Sequence, residues 1–439
     1  MNNFFSEFPK VSKADWEEKL KKELKGASLS EAFHKTDDIE GLSFSSYTHD
    51  SDMNPSEEFS PLSIGKKDNS WLNSVEINVE NEKEANSKAL KVLMTGADAL
   101  IFNLLSENVD LELLLKGISL EFITTHFTVN NLEQFKELNA KFGETTYSIF
   151  YRLDDSKINI TEYIKENGNN QKPFCFVNAF KIQQTGASIQ QELAYTLSKA
   201  NEYLSSLLSE GVDINSAASL IHFNFGVGSN YFNEIAKIRS FKMMWLFMLE
   251  KYGVQLKEDL NVSISATIGF VNKSLKDPYT NLLRQSTEAM SAIVSGVDML
   301  TILPYDTISS KGESEFSLRM AQNIPLILKE ESYFDKVVDP LSGSYSMEKL
   351  TKEVQNISWK LFQKLESLNG IDSPECQEFF ISEVEKVVNL KKEAYLKGKT
   401  LIGVNKFKSP NEEQNEWKVS ELIYGMKQFV IEKEILDEN

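Results

Sequence analysis

Between residues 74 and 305 the chain alternates short apolar, β-branched runs with longer amphipathic stretches, and no other feature constrains its fold as strongly. The runs span 74–80 (SVEINVE), 99–105, 118–127, 145–153, 174–180 (FCFVNAF), 219–227, 261–270 and 298–305, which makes eight strands. A helical pattern follows each, as in IQQELAYTLSKANEYLSSLLSEG after the fifth and FNEIAKIRSFKMMWLFMLEKYG after the sixth. Parallel strands need long crossovers, and a helix is the economical one, so this alternation predicts an α/β chain forming a (β/α)8 barrel of the TIM type. An open doubly wound sheet is the competing architecture, but closure removes the exposed edges of strands this apolar.

The flanks read differently. Ser12 can cap a helix over DWEEKLKKEL, with Asp15 near its positive end and Gly26 as its stop. Residues 27–70 are polar, contain Pro55 and Pro61 and show little periodicity, so residues 1–70 are expected to be an N-terminal helix and extended arm that needs another surface. The barrel is then assigned to 71–345, with Pro325 expected to kink or split its eighth helix. Residues 346–439 are expected to be a C-terminal helical extension: two helices separated by Gly370 and Pro374, then LIGVNKFKSPNEE and a final acidic helix.

Charge and composition exclude several roles. With 65 acidic against 47 basic residues the net charge is −18, which repels phosphate backbones and anionic headgroups, so neither nucleic acid nor a membrane is an expected partner. The start lacks a secretory pattern, and the longest obvious apolar run, Met243 to Leu249, is far shorter than a span requires. Cys175 and Cys376 are too few for a disulfide framework, and the expected compartment is the cytoplasm.

Barrel enzymes carry their chemistry at the C-terminal ends of the strands. The fifth strand offers Asn178, Lys181, Gln183 and Gln184, where a lysine can form a Schiff base or bind an anion, or else lie solvated in a loop capped by Ser188. The sixth ends in GVGSN, whose Gly226, Gly228, Ser229 and Asn230 form either a phosphate cradle or an ordinary turn. His34, His49, His126 and His222 have no metal-site spacing, and His49 with Asp50 and Asp52 reads as a cation site or as a solvated acidic loop. No Ser/His/Asp grouping or Walker loop occurs, no metal is expected, and KMMWLFML is apolar all round, which implies burial or an interface.

Several stretches resemble the methylmalonyl-CoA mutase family in sequence and in order: FPKVSKADWEEKLKKELKG, KKDNSWLNSVEINVENEKEANSKAL, GASIQQELAYTLSKANEYL, FGVGSNYFNEIAKIRS, DPYTNLLRQSTEAMSAIVSGVD and LILKEESYFDKVVDPLSGSYSMEKLT. Within that family the opening is similar to the small-subunit branch. In catalytic members the resemblance implies a barrel threaded by the acyl-CoA pantetheine chain, with adenosylcobalamin between barrel and a flavodoxin-like domain. Their G-Y-H-x-Q-E-x-G-A segment matches Ala179–Ala187 here, where Phe180, Lys181 and Gln184 replace tyrosine, histidine and glutamate. Their T-Q-S-L-H-T-N segment becomes Val297–Leu303, with Asp298 and Thr301 at vestigial positions, and Arg152 lies outside any matching carboxylate-binding motif. No D-x-H-x-x-G signature is present, and no flavodoxin-like cobalamin domain is expected.

The resemblance therefore implies an isomerase subunit that is itself inactive and binds no cofactor. Its partner would be the catalytic large subunit, which holds adenosylcobalamin and interconverts methylmalonyl-CoA and succinyl-CoA in propionate metabolism. Together they would form a heterodimer, with self-association as a homodimer open when the chain is alone. The alternatives are an active acyl-CoA mutase barrel that borrows a cobalamin domain from a separate polypeptide, and an unrelated barrel enzyme using Lys181.

Overall fold

The computed structural model describes residues 7, 11–25, 28–29, 33–45, 47–49, 52, 66–106, 108–153, 160–167, 172–254, 262–408, 410 and 415–437. Gly26, Asp50 and most of the polar segment before residue 66 lie outside them. Eight parallel strands form one sheet: β3 (Leu72–Val79), β4 (Ala99–Leu104), β5 (Thr124–Val129), β6 (Ile149–Leu153), β7 (Cys175–Asn178), β8 (Ile221–Val227), β9 (Ile264–Ile268) and β10 (Met299–Ile302). Their order, β6-β5-β4-β3-β10-β9-β8-β7, brings the first barrel strand beside the last. At the remaining seam Tyr151 N–H donates to Pro173 O at 2.8 Å, so the sheet is nearly closed into the expected barrel.

The strands alternate between two environments. One face carries Val75, Ile77, Leu100, Phe102, Phe127, Tyr151, Val177, Phe223, Phe225, Ile264 and Leu300, which bury against the surrounding helices in a single core. The largest of these are α2 (Glu82–Met94), α4 (Leu132–Phe142), α7 (Ile189–Ser209), α9 (Tyr231–Lys251), α10 (Thr280–Val294) and α11 (Glu315–Glu330). Between β4 and β5 there is only one α turn, α3 (Leu111–Leu114), and a 3-10 turn, where the sequence pattern suggests a full helix. KMMWLFML resolves as burial: Met244, Trp245, Met248 and Leu249 are buried, and the Trp245 and Phe241 rings lie 5.0 and 4.6 Å from that of Phe223.

Local chemistry sets many element boundaries. Ser12 and Asp15 form a reciprocal capping box on α1 (Lys13–Glu23), as do Ser188 and Gln191 on α7. The two C-terminal helices are α12 (Tyr345–Ser367) and α13 (Pro374–Leu396), the latter with Ser373 as its cap and proline at its first position. The helix is not split: α11 runs through Pro325 as one continuous helix. Pro325 is buried in the packed interface, and packing of the helix around it outweighs one lost backbone bond.

Two antiparallel hairpins went unanticipated. One joins β1 (His34–Asp37) to β2 (Leu42–Ser45), and its own chain supplies it with a surface: Ile189 N–H donates to Glu40 Oε2 at 2.8 Å, and Ser43 N–H to Glu353 Oε1 at 2.9 Å. The other joins β11 (Glu421–Ile423) to β12 (Met426–Lys427), just ahead of the final helix α14 (Ile431–Asp437).

A buried ion network ties the barrel to its helices. Lys237 on α9 is fully buried; its Nζ meets Glu192 Oε2 at 2.7 Å, Glu234 Oε2 at 2.6 Å and Gly226 O at 2.6 Å. Burial opposes its charge, but Glu192 and Glu234 more than offset this and hold its pKa above the ordinary lysine value. Lys237→Met should therefore cost about 3–5 kcal/mol, because it strands two buried carboxylates. In urea unfolding followed by circular dichroism, the double variant Lys237→Met/Glu192→Leu should regain part of that loss. A single variant as stable as the parent would show that the network is energetically silent.

Candidate functional site

The second face of the strands points into the barrel, and its residues are mostly polar. At the N-terminal end a small apolar layer, Leu72, Ala99, Ile101 and Met299, closes the floor. Above it, Ser74 and Thr301 hydroxyls meet at 2.6 Å across β3 and β10. On one side Asn103 Nδ2 donates to Glu76 Oε1 at 2.6 Å and Asn78 Oδ1 at 3.0 Å, and Thr128 Oγ1 donates to Asn103 Oδ1 at 2.6 Å. On the other, Asn224 Oδ1 accepts from Ser265 and Thr267 hydroxyls at 3.1 and 3.0 Å, while Asn224 Nδ2 donates to Asn178 Oδ1 at 3.2 Å.

The mid-level is filled by rings and one cation. His126 on β5 lies 5.6 Å from His222 on β8, although two strands separate them in the sheet, so both side chains converge inside the barrel. His126 stacks on Phe150 at 4.4 Å with planes 6° apart, and His222 stacks on Phe176 at 4.7 Å. Arg152 donates from Nε to His126 Nδ1 at 3.1 Å and lies 4.5 Å over the Phe176 ring. Its Nη2 is buried and has no hydrogen-bond partner among the described residues. Burial lowers the Arg152 pKa to about 10 against the opposing pull of Glu76. Burial, then the Arg152 charge, lowers His222 to about 3, and the same causes with His222 added put His126 well below 6.5. Both imidazoles are thus neutral at pH 7, as the acceptor role of His126 Nδ1 requires.

The C-terminal mouth is covered on the β8–β9 side. Immediately after β7 the chain turns into α6 (Ala179–Gln184), so Lys181 sits on a helix rather than in a loop, half-buried at that face. Helix α6 presses so close that a Cβ on Gly226 would lie 2.5 Å from Gln183 Cβ, and one on Gly269 would collide with the Gln184 amide. Gln184 is buried; its Oε1 accepts from Phe270 N–H at 2.9 Å and its backbone O from Phe429 N–H at 2.8 Å, which brings the C-terminal segment over the same end.

Of the positions singled out in the sequence, Phe180, Lys181 and Gln184 lie together on α6. Thr301 is inside the barrel, bonded to Ser74. Asp298 is elsewhere: it stands at the N-terminal end of β10, where it pairs with Lys66 at 2.9 Å and accepts from Ile264 N–H at 2.8 Å. Gly226 and Gly228 border the buried Glu192–Lys237–Glu234 network rather than an open cradle. Asp52 is engaged by Lys13 and by His49 N–H, and no metal-competent cluster exists among the described residues. The sequence reading missed the interior pair His126 and His222. Their signal was available, since S-x-E-x-N, H-x-T, F-x-R, F-x-N, H-x-N and S-x-T place a polar or aromatic residue at every second strand position.

Comparison with known proteins interprets this polar barrel. The family profile described as methylmalonyl-CoA mutase matches residues 143–429. The chain is 34% identical over 425 residues to the methylmalonyl-CoA mutase small subunit of Porphyromonas gingivalis, covering 88% of this chain and 67% of that one. The chain belongs to the methylmalonyl-CoA mutase family. It is 31% identical over 238 residues to the methylmalonyl-CoA mutase of Rhizobium meliloti, and 31% over 243 residues to the mitochondrial methylmalonyl-CoA mutase of Homo sapiens. It spans only 33% and 32% of those longer mutases, about half of this chain being matched in each case (54% and 55%). Among solved structures, a Yersinia pestis DHPS overlays on 68% of this chain and 99% of its own at TM-score 0.27 and 13% identity. No helix among the described residues of this mutase-family chain is long and apolar enough to cross a membrane.

The neutral imidazoles give this barrel a pH signature. In the unfolded chain each histidine takes up a proton below about pH 6.5, which the folded barrel refuses, so stability present above that pH is lost as pH falls toward about 3. For His222 the loss should reach about 2 kcal/mol between pH 7 and pH 5. His222→Phe should flatten that part of the curve in urea titrations at the two pH values. An unchanged difference between them would show that His222 is protonated in the folded barrel.

Proposed function

We propose that this chain is the small, non-catalytic subunit of an adenosylcobalamin-dependent methylmalonyl-CoA mutase, a structural partner of a catalytic large subunit in a heterodimer. The observation that carries the reading is a cluster of mutually contacting side chains inside the barrel. His126, Phe150, Arg152, Phe176 and His222 contact one another in the space that an acyl-CoA pantetheine chain would occupy in a catalytic relative. Threading a ligand there would separate these stacked groups and leave the Arg152 charge with still fewer partners.

The mouth supports the same reading. A corrinoid does not fit the residues found there: Gln183 and Gln184 are packed onto Gly226 and Gly269, and the segment from Gln428 to Glu432 lies over that end, with Ile431 N–H donating to Val271 O at 2.8 Å. His126 and His222, the two buried histidines, are held inside the barrel. Radical rearrangement depends on chemistry that the cofactor supplies, and here the chain offers only Lys181 where relatives carry their carbonyl-binding histidine. The name of the Porphyromonas gingivalis relative supports a large-subunit partner for this chain as well.

Purified alone, the chain should retain no adenosylcobalamin at micromolar concentration after gel filtration and show no mutase turnover. Co-expressed with the large subunit of its own organism, it should give a 1:1 complex by native mass measurement. In that complex Lys181→Ala should leave kcat and KM within about twofold, since every reacting group belongs to the partner. A stoichiometric pink complex of the lone chain, or a tenfold loss of kcat in an intact heterodimer, would favour an active barrel that borrows its cobalamin domain.

A further inference from the structure

Helix α9 starts beside the C-terminal end of β8, and its N-terminus faces that of α12 across a groove of about 380 Å3. Ser43 and Ser45 of the β1–β2 hairpin form part of the opposite wall. Asn233, in the first turn of α9, lines this groove and is 0% exposed, yet neither its Oδ1 nor its Nδ2 has a hydrogen-bond partner among the described residues. Other side chains leave single buried atoms unpaired; Asn233 alone among the described residues leaves two. A buried primary amide with its donor and acceptor both idle is a demand that the protein itself does not meet.

The two helix starts share that incompleteness. Helices α2, α4, α7, α11 and α13 are capped by the side-chain oxygens of Asn81, Asn131, Ser188, Ser314 and Ser373. Neither Asn230 at α9 nor Ser344 at α12 gives its helix a side-chain cap, and both line the groove. Long helices that begin this way direct idle N–H groups and the positive ends of their dipoles at whatever lies in front of them.

The surrounding charges permit an anion. Glu234 is paired with Lys237, and Glu348 with Arg239 and the Gly343 N–H. Glu353, on the groove wall, accepts from Ser43 N–H, while Lys349 supplies an exposed cation at the rim with Asp52 in its vicinity. The wall also carries the apolar side chains of Phe232, Leu341, Met347 and Leu350, beside the mutually bonded hydroxyls of Ser346 and Thr48, and Phe232 is 58% exposed. We propose that this groove binds a small amphipathic oxyanion, a carboxylate or phosphate ester whose charged end meets the two helix starts and Lys349 and hydrogen-bonds Asn233, with its apolar part against Phe232 and Leu350. This site is separate from the barrel axis and does not depend on whether the barrel is catalytic.

Isothermal titration of the full chain with phenyl phosphate and with hexanoate, against phenol and hexanol as neutral controls, tests it. At least one anion should bind saturably and at least tenfold more tightly than its neutral counterpart, and which one does so identifies the head group. Asn233→Leu should weaken that binding at least tenfold while the ligand-free variant melts at the wild-type temperature or above, because an idle buried amide has been replaced by an apolar side chain of similar size. A purely structural asparagine would instead lower the melting temperature. Should Asn233→Leu not fold, Lys349→Glu at the exposed rim carries the same tenfold expectation. Failure of both anions to saturate the wild-type chain, or wild-type affinity in a folded variant, overturns the proposal.

Discussion

The structure depends on how its polar barrel interior is satisfied. A polar side chain on the inner face of a parallel barrel is screened from bulk water by the closed sheet, so it is paired chiefly by inner-face groups of neighbouring strands. Here Ser74 finds Thr301, Asn103 finds Glu76 and Thr128, and Asn224 gathers Asn178, Ser265 and Thr267. Most of these bonds join neighbouring strands, and the Ser74–Thr301 bond links the first barrel strand to the last, so that pair depends on barrel closure. The histidines show the cost of the arrangement: an imidazole held between Phe150, Phe176 and a guanidinium is kept neutral, and that ties the barrel's stability to pH.

Closure at the mouth follows from a different constraint, the absence of side chains at two strand ends. Gly226 and Gly269 allow α6 to press Gln183 and Gln184 directly onto the ends of β8 and β9. Gln184 then serves as the anchor to which Phe270 and Phe429 bond, so the C-terminal segment inherits its position from a residue some 240 positions earlier. Where catalytic relatives place glutamate in this stretch, a neutral amide is what the geometry needs, because Gln184 must accept from one backbone N–H while donating to Gln183 Oε1 at 2.5 Å. A carboxylate could not make the second bond unless it were protonated.

How far the sequence predicts this molecule differs by level. The eight strands and the two long C-terminal helices were legible because hydrophobic period and Gly/Pro punctuation are local signals, as at Gly370 and Pro374. At Pro325 a local rule does not decide whether the helix splits, because tertiary packing keeps it continuous. The β1–β2 hairpin was missed because its stability comes from Glu40 and Ser43 reaching α7 and α12, partners that no window around residue 40 contains. Lys181 after the fifth strand and Asp298 at the start of the eighth both stand where the strand pattern puts them, and Asp298 there pairs with Lys66 and accepts from Ile264 N–H. The convergence of His126 with His222 could be anticipated only by combining the polar alternation with the closed topology.

Stability and chemistry make opposite demands on such an axis. A channel that admits a long ligand must leave polar groups unpaired, or paired only to water, whenever the ligand is absent, and those groups weaken the empty barrel. Arg152 and the four rings around it remove most of that deficit by pairing with or stacking on one another, which leaves Arg152 Nη2 as an unsatisfied donor at this level among the described residues. The unpaired polar atoms of Asn233 then lie outside the axis, at the start of α9, where the same trade between stability and binding is left unresolved.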